Sequence, residues 1–260
     1  MKLFKYIKPV WHFIINANVI KTIIFNFRYL PFKTACRLPI HLYGKVELCE
    51  DVLGGGVEFS SPNKPHFGGW VIGNDCMRIY DNQHPDVTVI ELGGKLILGE
   101  RGRIRNGAIL RIHGTTRIEK DVNIGYKCKI ICHNEITIRD NAQIAWECQF
   151  FDSNFHYYMK DEKFVNRKGG SVYIGSHCWI GNRVTVNKDA YIADYCIIAS
   201  NSLVNKNSIN EPKCILAGIP ARKIANNCQR IFESEQLELR IILDDYFKNN
   251  PNSKTYEIPE

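Results

Sequence analysis

The sequence lacks the features of a secreted, disulfide-bonded or membrane-spanning chain. It has ten cysteines among 260 residues, but no two of them have the CxxC spacing. No secretory signal with a small-residue cleavage site is present. The apolar N-terminal stretch is interrupted by His12, Asn16 and Lys21, which argues against a transmembrane span. We therefore expect a cytoplasmic protein with reduced thiols.

Acidic residues are absent before Glu47. Eight Lys and Arg residues precede it, so the net charge of +7 is concentrated in an aromatic-rich N-terminal arm, residues 1–39. An amphipathic arm of a repeat protein usually packs as a cap on the open first repeat, and we expect that role here. The alternative is peripheral contact with the inner membrane face. No nucleic-acid-binding motif accompanies the charge, so we expect no nucleic-acid partner.

The sequence does contain an aliphatic residue at every sixth position. The unbroken series is Ile174, Ile180, Val186, Ile192, Ile198 and Val204. The same step occurs upstream, with two extra residues before Ile112 and again before Ile138: Leu92, Leu98, Ile104, Ile112, Ile118, Ile124, Ile130, Ile138, Ile144 and Phe150. A period of six fits neither a helix nor a simple strand and is typical of hexapeptide β-helices. We predict an all-β solenoid, a left-handed parallel β-helix over residues 40–225, with three hexads per coil.

The position four residues after many of these aliphatic residues is small. Cysteine occupies it at Cys76, Cys128, Cys148, Cys178 and Cys196. At such positions cysteine behaves as a small buried apolar residue. This placement favours structural thiols over disulfides or a zinc site.

Downstream of the repeats, Glu211-Pro212 and Gly218-Ile219-Pro220 predict that the solenoid ends. Residues 226–260 form the third region. Within it we expect an amphipathic helix over about 227–249, with Ile231, Leu237 and Ile241 on one face, and then a tail.

One segment, residues 151–172, interrupts the hexads with a polar and aromatic loop. Loops on a rigid scaffold often carry functional side chains. His156 could act as a general base, because a histidine exchanges a proton near neutral pH. Asp152, four residues earlier, could orient the imidazole. The alternative is an ordinary surface histidine.

Four stretches resemble the hexapeptide-repeat acyltransferases, in particular the sugar O-acetyltransferases and xenobiotic acetyltransferases. They are DSNFH from Asp152, VYIGSHCWIG from Val172, IASNSLVNK from Ile198 and AGIPARK from Ala217. The third departs from the family's glycine-containing GAGS, since Ala199-Ser200-Asn201-Ser202 stands in its place.

The resemblance implies a role for each matched residue. His156 would be the catalytic base and Asp152 its partner. The donor site would contain Trp179 at the acetyl and pantetheine end, Ser200, Asn205 and Lys206 along the groove, and Arg222 and Lys223 at the phosphates. The alternative for Trp179 is packing at a coil edge, and for the two basic residues it is solvated surface charge.

The resemblance further implies acetyl-CoA as acyl donor, no metal, and a homotrimer with each active site between two subunits. We expect an O-acetyltransferase acting on a sugar or surface-polysaccharide precursor. N-acyl transfer to an amino sugar and a non-catalytic binding or scaffold solenoid stay open. A zinc β-helix of the γ-carbonic-anhydrase kind is disfavoured, because the sequence has no pair of histidines separated by four residues.

Overall fold

Three parallel sheets wind around a common axis in this computed structural model, which describes residues 11, 13–49, 54–61, 65–74, 86–208, 210–232 and 235–258. The first sheet stacks β1 (Ile40–Leu42), β4 (Trp70–Asn74), β7 (Gly102–Arg105), β10 (Val122–Ile124), β13 (Gln143–Ile144), β18 (Trp179–Ile180), β21 (Ile197–Ile198), β23 (Ile215–Gly218) and β24 (Ala221–Ala225).

The other two sheets interleave with it along the chain. The second contains β2 (Val46–Leu48), β5 (Thr88–Leu92), β8 (Ile109–Ile112), β11 (Lys129–Cys132), β14 (Gln149–Phe151), β19 (Thr185–Val186) and β22 (Leu203–Val204). The third contains β3 (Gly56–Phe59), β6 (Lys95–Leu98), β9 (Thr115–Ile118), β12 (Glu135–Ile138), β17 (Ser171–Ile174) and β20 (Tyr191–Ile192). This arrangement is the predicted β-helix.

Each ladder is held by parallel backbone pairing, and its interior side is aliphatic. The first sheet aligns six buried residues from successive coils: Ile104, Ile124, Ile144, Ile180, Ile198 and Leu216. Cys128, Cys148, Cys178 and Cys196 are buried as predicted, and Cys76 lies outside the described residues. Burial raises the pKa of the Cys178 thiol, so this side chain is a neutral core group.

The number of residues per coil changes along the axis. Ile104 pairs with Ile124, a step of 20 residues, whereas Ile180 pairs with Ile198, a step of 18. The two additional residues lie at the corner between the second and third sheets, at 113–114 and again at 133–134. Three hexads per coil is therefore correct downstream of residue 171 and wrong upstream, where one corner is a longer turn.

The corners repeat in the backbone as well as in the sequence. His177, Arg183, Asp189, Tyr195 and Asn201 all have positive φ, from 56° to 63°. This left-handed conformation costs a non-glycine residue on the order of 1 kcal/mol. Backbone bonds between coils offset the cost: the N–H of His177, for example, donates to the carbonyl of Asp140 at 2.9 Å.

The N-terminal arm covers the first coil. Helix α1 (Val19–Tyr29) is buried along Thr22, Phe25, Asn26 and Tyr29, and the short helix α2 (Phe32–Ala35) follows it. Asn26 donates through Nδ2 to the carbonyl of Ile40 at 2.6 Å and accepts from the Ile40 N–H at 3.3 Å. These side-chain bonds occupy backbone groups of β1 that have no further strand to pair with, and they agree with the predicted cap.

The C-terminal region differs from the prediction at two points. The solenoid does not end at Glu211-Pro212, because β23 pairs with β21 in the parallel register. The chain then turns back through β24, which is antiparallel to β23. Helix α3 (Leu237–Asn249) begins ten residues later than expected and leaves Ile231 outside it.

Tertiary contacts explain the late start of α3. The Phe232 ring packs edge-on against His177, with centroids 5.3 Å apart, and Glu235 binds the same imidazole. These contacts hold Phe232 and Glu235 against His177 of the β-helix and override the helical pattern of the segment. In the described part of the chain no helix is long and apolar enough to cross a membrane.

Replacing Asn26 with alanine should destabilise the protein by about 2 kcal/mol, because both backbone groups of Ile40 then lose a buried partner. Urea unfolding would measure the loss. Asn226→Ala, at an exposed asparagine, is the matched control and should change stability by less than about 0.5 kcal/mol. Equal effects of the two substitutions would contradict the role assigned to Asn26.

Candidate functional site

The segment predicted as a loop contains a two-stranded hairpin that projects from the β-helix. Strands β15 (Tyr158–Lys160) and β16 (Phe164–Asn166) pair antiparallel, and the base of the projection is closed by the bridge between Ser153 and Gly169. It leaves the solenoid between β14 and β17, at the corner of the second and third sheets. His156 lies just before β15 and is exposed.

Asp152 is buried at the base of this hairpin, and its partners are backbone groups. Its carboxylate accepts from the N–H of His133 at 2.9 Å and from the N–H of Asn134 at 2.7 Å. Both belong to the preceding coil. The bonds described for Asp152 thus fix where the hairpin starts, and none of them joins Asp152 to His156.

The residue before His156 is also anchored. The Phe155 ring meets His133 edge-on with centroids 5.3 Å apart, and the Phe155 N–H donates to the Ser153 hydroxyl at 3.0 Å. Phe155 has a φ of 63°, a conformation that turns the chain sharply. Together these contacts set the backbone from which the His156 imidazole extends.

A second group of predicted residues lies at the corner between the first and second sheets. Trp179 stands on the outer side of β18, between Gln143 and Ile197, and is 43 % exposed. In the next coil the Ser200 hydroxyl donates to Asn182 Oδ1 at 2.6 Å. Gly181 permits this close approach, since a Cβ there would lie 2.7 Å from the Ser200 nitrogen.

A third group contains the basic residues. Arg222, on β24, donates from Nη1 to the carbonyl of Asn207 at 3.2 Å, which places it beside the turn of Asn205 and Lys206. The Asn205 amide oxygen accepts from the Asn207 N–H at 2.9 Å and shapes this turn. Lys206 and Arg222 are both exposed, so the turn that contains Lys206 is also the turn to which Arg222 binds.

Lys223 is directed elsewhere. Its ammonium group pairs with the Glu211 carboxylate, and this partner raises the pKa of Lys223. An exposed pair of this kind contributes little to stability. Lys223 is therefore already neutralised within the chain, unlike Lys206.

These groups lie on two edges of the triangular coil. The hairpin and the turn of Asn205 and Lys206 share the corner between the second and third sheets, two coils apart, whereas Trp179 and Ser200 lie at the corner before β19 and β22. One side of the coil, about five extended residues or roughly 15 Å, separates the corners. Within one chain the structure does not bring His156 to Trp179.

Two residues near Trp179 could not be identified as site residues from the hexad pattern. The Arg230 guanidinium lies 5.7 Å from the Trp179 ring centroid, and burial lowers the pKa of Arg230. Asn182 is the partner of Ser200. Only the path of the chain after β24 brings Arg230 back to this edge, so sequence spacing could not find it.

The other histidines of the repeats have structural contacts. His177 stacks on Tyr195 with ring centroids 4.7 Å apart and binds Glu235 at 2.7 Å, so its contacts are structural. His113 stacks on His133 at 5.3 Å. Within the described ranges no group of three His, Cys, Asp or Glu side chains is placed to hold a metal ion.

A groove of about 420 Å³ lies on the outer side of the first sheet. Arg103, Asn123 and Gln143 line it, and Gln143 is the strand neighbour of Trp179. Amide and guanidinium groups can bind the hydroxyls of a polar ligand. The groove therefore extends the exposed surface around Trp179 toward the upstream coils.

The repeats resemble those of a known protein family. Residues 171–206 match the family model described as bacterial transferase hexapeptide (six repeats). This match covers the hexads that follow the hairpin. No curated protein sequence matches it.

Solved structures extend the comparison to the fold of most of the chain. It is similar to the polySia-specific acetyltransferase NeuO with a TM-score of 0.52 and 17 % identity, covering 78 % of this chain and 98 % of NeuO. A further structure, the N-acyltransferase AntD from Bacillus cereus in complex with dTDP and 3-hydroxybutyryl-CoA, has a TM-score of 0.41 and 17 % identity, over 80 % of this chain and 88 % of AntD. The likeness to NeuO shows the predicted left-handed β-helix.

The anchoring of the hairpin by Asp152 can be tested by Asp152→Asn. This change removes an acceptor oxygen from two backbone N–H groups and should cost about 2 kcal/mol of unfolding free energy. Hydrogen exchange at His133 and Asn134 should accelerate. Asp161→Asn, at the exposed hairpin tip, is the matched control; unchanged exchange in Asp152→Asn would refute the anchor.

Proposed function

We propose that this protein is an acetyl-CoA-dependent O-acetyltransferase that acetylates a hydroxyl of a sugar or surface-polysaccharide precursor in the cytoplasm. The observation that carries the proposal is the exposed His156 on a hairpin that interrupts an otherwise regular β-helix. The proposal is supported by the fold that this protein shares with nearly the whole length of the acetyltransferase NeuO. No metal is assigned a part in the reaction.

The chemistry requires a base, an acyl donor and a hydroxyl. His156 would accept the proton of the acceptor hydroxyl while the hydroxyl oxygen attacks the thioester carbonyl. A C–O bond forms, the C–S bond of the tetrahedral intermediate breaks, and the imidazolium returns the proton to the departing thiolate of coenzyme A. Asp152 would act as a positioning residue, because it fixes the base of the hairpin.

The remaining predicted residues would bind the donor. Trp179 would contact the acetyl and pantetheine end, and Ser200, Asn205 and Lys206 would line the groove. Arg222 is suited to phosphate because its planar guanidinium can bind two oxygens at once, and Lys206 beside it adds a second cation. Lys223 would contribute only after exchanging Glu211 for a phosphate.

The separation of His156 from Trp179 supports a site built by two subunits. Since they lie on different edges of one coil, a second copy is needed to bring an imidazole against the tryptophan edge. The hairpin is also apolar at its surface: Tyr157, Met159 and Val165 are 61 % to 65 % exposed. We therefore place the hairpin at a subunit contact in a homotrimer, the closed symmetry that joins unlike surfaces with three copies.

The first experiment is calorimetric titration of the purified protein with acetyl-CoA. One saturable site per subunit would support the transferase and justify screening sugar hydroxyls and amino sugars as acceptors. Products on an amino group would favour N-acyl transfer. The absence of binding at millimolar donor would refute the proposal in favour of a non-catalytic solenoid.

Replacing His156 with alanine should lower kcat by about 100-fold or more, because the acceptor hydroxyl then loses its base. The dissociation constant of acetyl-CoA should stay nearly unchanged. Steady-state kinetics together with the same titration check both values. His66→Ala, at another exposed histidine, is the control, and a parallel loss of rate and donor affinity in His156→Ala would contradict the assignment.

Replacing Arg222 with alanine should weaken acetyl-CoA binding about tenfold, the expected loss of one charge-assisted contact with phosphate. The effect should be larger at low salt, where screening is weaker. Acetylpantetheine, which has no phosphates, should bind the variant and the unaltered protein equally. Arg240→Ala on α3 serves as control; an unchanged acetyl-CoA affinity in Arg222→Ala would remove Arg222 from the donor site.

A further inference from the structure

Helix α1 is apolar on two opposite sides, although only one of them is covered by the β-helix. Thr22, Phe25, Asn26 and Tyr29 are buried. A second row with the same helical spacing follows Ile20, Ile23, Ile24 and Phe27, which we call the outer face. A helix that only caps a solenoid presents polar residues to solvent, so the outer face requires a different explanation.

The outer face is accessible in this chain. Ile20 is 72 % exposed, and the other three side chains are 43 % to 46 % exposed. An aromatic ring lies at its C-terminal end, where Phe32 approaches Phe27 with ring centroids 5.8 Å apart. A contiguous apolar surface rimmed by polar groups marks an interaction site rather than chance exposure.

The charges around the outer face have one sign. Lys21 and Arg28, seven residues apart, lie on the same flank of α1, and Lys33 and Arg37 follow in the next segment. No acidic residue occurs in the chain before Glu47. An apolar helical face with a cationic rim and an aromatic end complements the interface of an anionic bilayer.

We propose that the outer face of α1 binds an anionic membrane surface while the opposite face caps the β-helix. The side chains of Ile20, Ile23, Ile24 and Phe27 would enter the boundary between head groups and acyl chains, with Lys21 and Arg28 at the level of lipid phosphates. The cationic rim disfavours a second copy of the same face as occupant, because like charges would then meet.

The location of α1 makes this docking compatible with any activity at the other end. Helix α1 lies on β1, the first strand of its sheet, and Arg222 lies on β24, beyond β23. Seven strand spacings separate β1 from β23, about 34 Å at the usual distance between strands. The membrane inference therefore does not depend on the proposed acetyl transfer.

The test is sedimentation of the full-length protein with vesicles of phosphatidylcholine alone and of phosphatidylcholine with phosphatidylserine. Binding is expected only to the anionic vesicles and should weaken as salt rises. Equal binding to both vesicle types, or binding to neither, would overturn the proposal.

Two sets of variants locate the contact. Ile20→Ser with Ile24→Ser should reduce vesicle partitioning by at least about tenfold, and Lys21→Ala should reduce it about fivefold at low salt. Ile241→Ser with Ile242→Ser on α3 is the matched control, since these residues are 59 % and 50 % exposed but lie near Asp244 and Asp245. Unfolding in urea should show that both double variants keep the stability of the parent.

A protein–protein role for the outer face would give a different result. Sedimentation velocity without lipid should show the same oligomeric state for the parent and for Ile20→Ser with Ile24→Ser. A change of oligomeric state in this double variant, without a loss of vesicle binding, would assign the face to a second copy of the chain and overturn the proposal.

Discussion

Hydrogen bonding between coils in a fixed parallel register is the constraint on which this molecule depends. A residue on one strand must stand beside its counterpart in the next coil, as Ile180 does beside Ile198. Each interior side chain therefore stacks on a similar side chain of the neighbouring coil, and the corners must repeat in conformation. The same constraint explains why the core contains aliphatic residues and neutral thiols, and why Asn201 adopts a left-handed conformation at its corner. Asparagine tolerates this conformation better than most residues.

A stack of coils has two ends, and at each end the backbone of the last strand needs partners that no further coil supplies. At the first coil, Thr22 and Asn26 of α1 bind backbone groups of β1 that no strand pairs with. At the last coil, β24 turns back on β23 as an antiparallel strand. Helix α1 caps the β-helix with one side only, so its opposite side is left exposed. Its apolar outer face and its cationic rim then become available for a surface outside the protein.

The hairpin is the one large departure from the repeat between β7 and β23. Its start is held by the carboxylate of Asp152 and the ring of Phe155, both of which contact the preceding coil at His133. A flexible insertion would be a poor support for a catalytic group, because catalysis requires a positioned base. Here the backbone beside His156 is fixed, while its imidazole is exposed. The distance to Trp179 across one side of the coil is what makes a neighbouring subunit part of the proposed site.

The sequence by itself determined the β-helix, because a period of six in buried aliphatic residues has no other regular solution. It also determined the burial of Cys128, Cys148, Cys178 and Cys196 and the interruption of the repeat between β14 and β17. The tertiary structure decided what depends on contacts distant in sequence. Asp152 binds backbone of another coil rather than His156, and Arg230 returns to Trp179 only after the final hairpin. Helix α3 begins at Leu237 because Phe232 and Glu235 are held by His177. A local pattern specifies local conformation, whereas the partner of a side chain is set by how the coils stack.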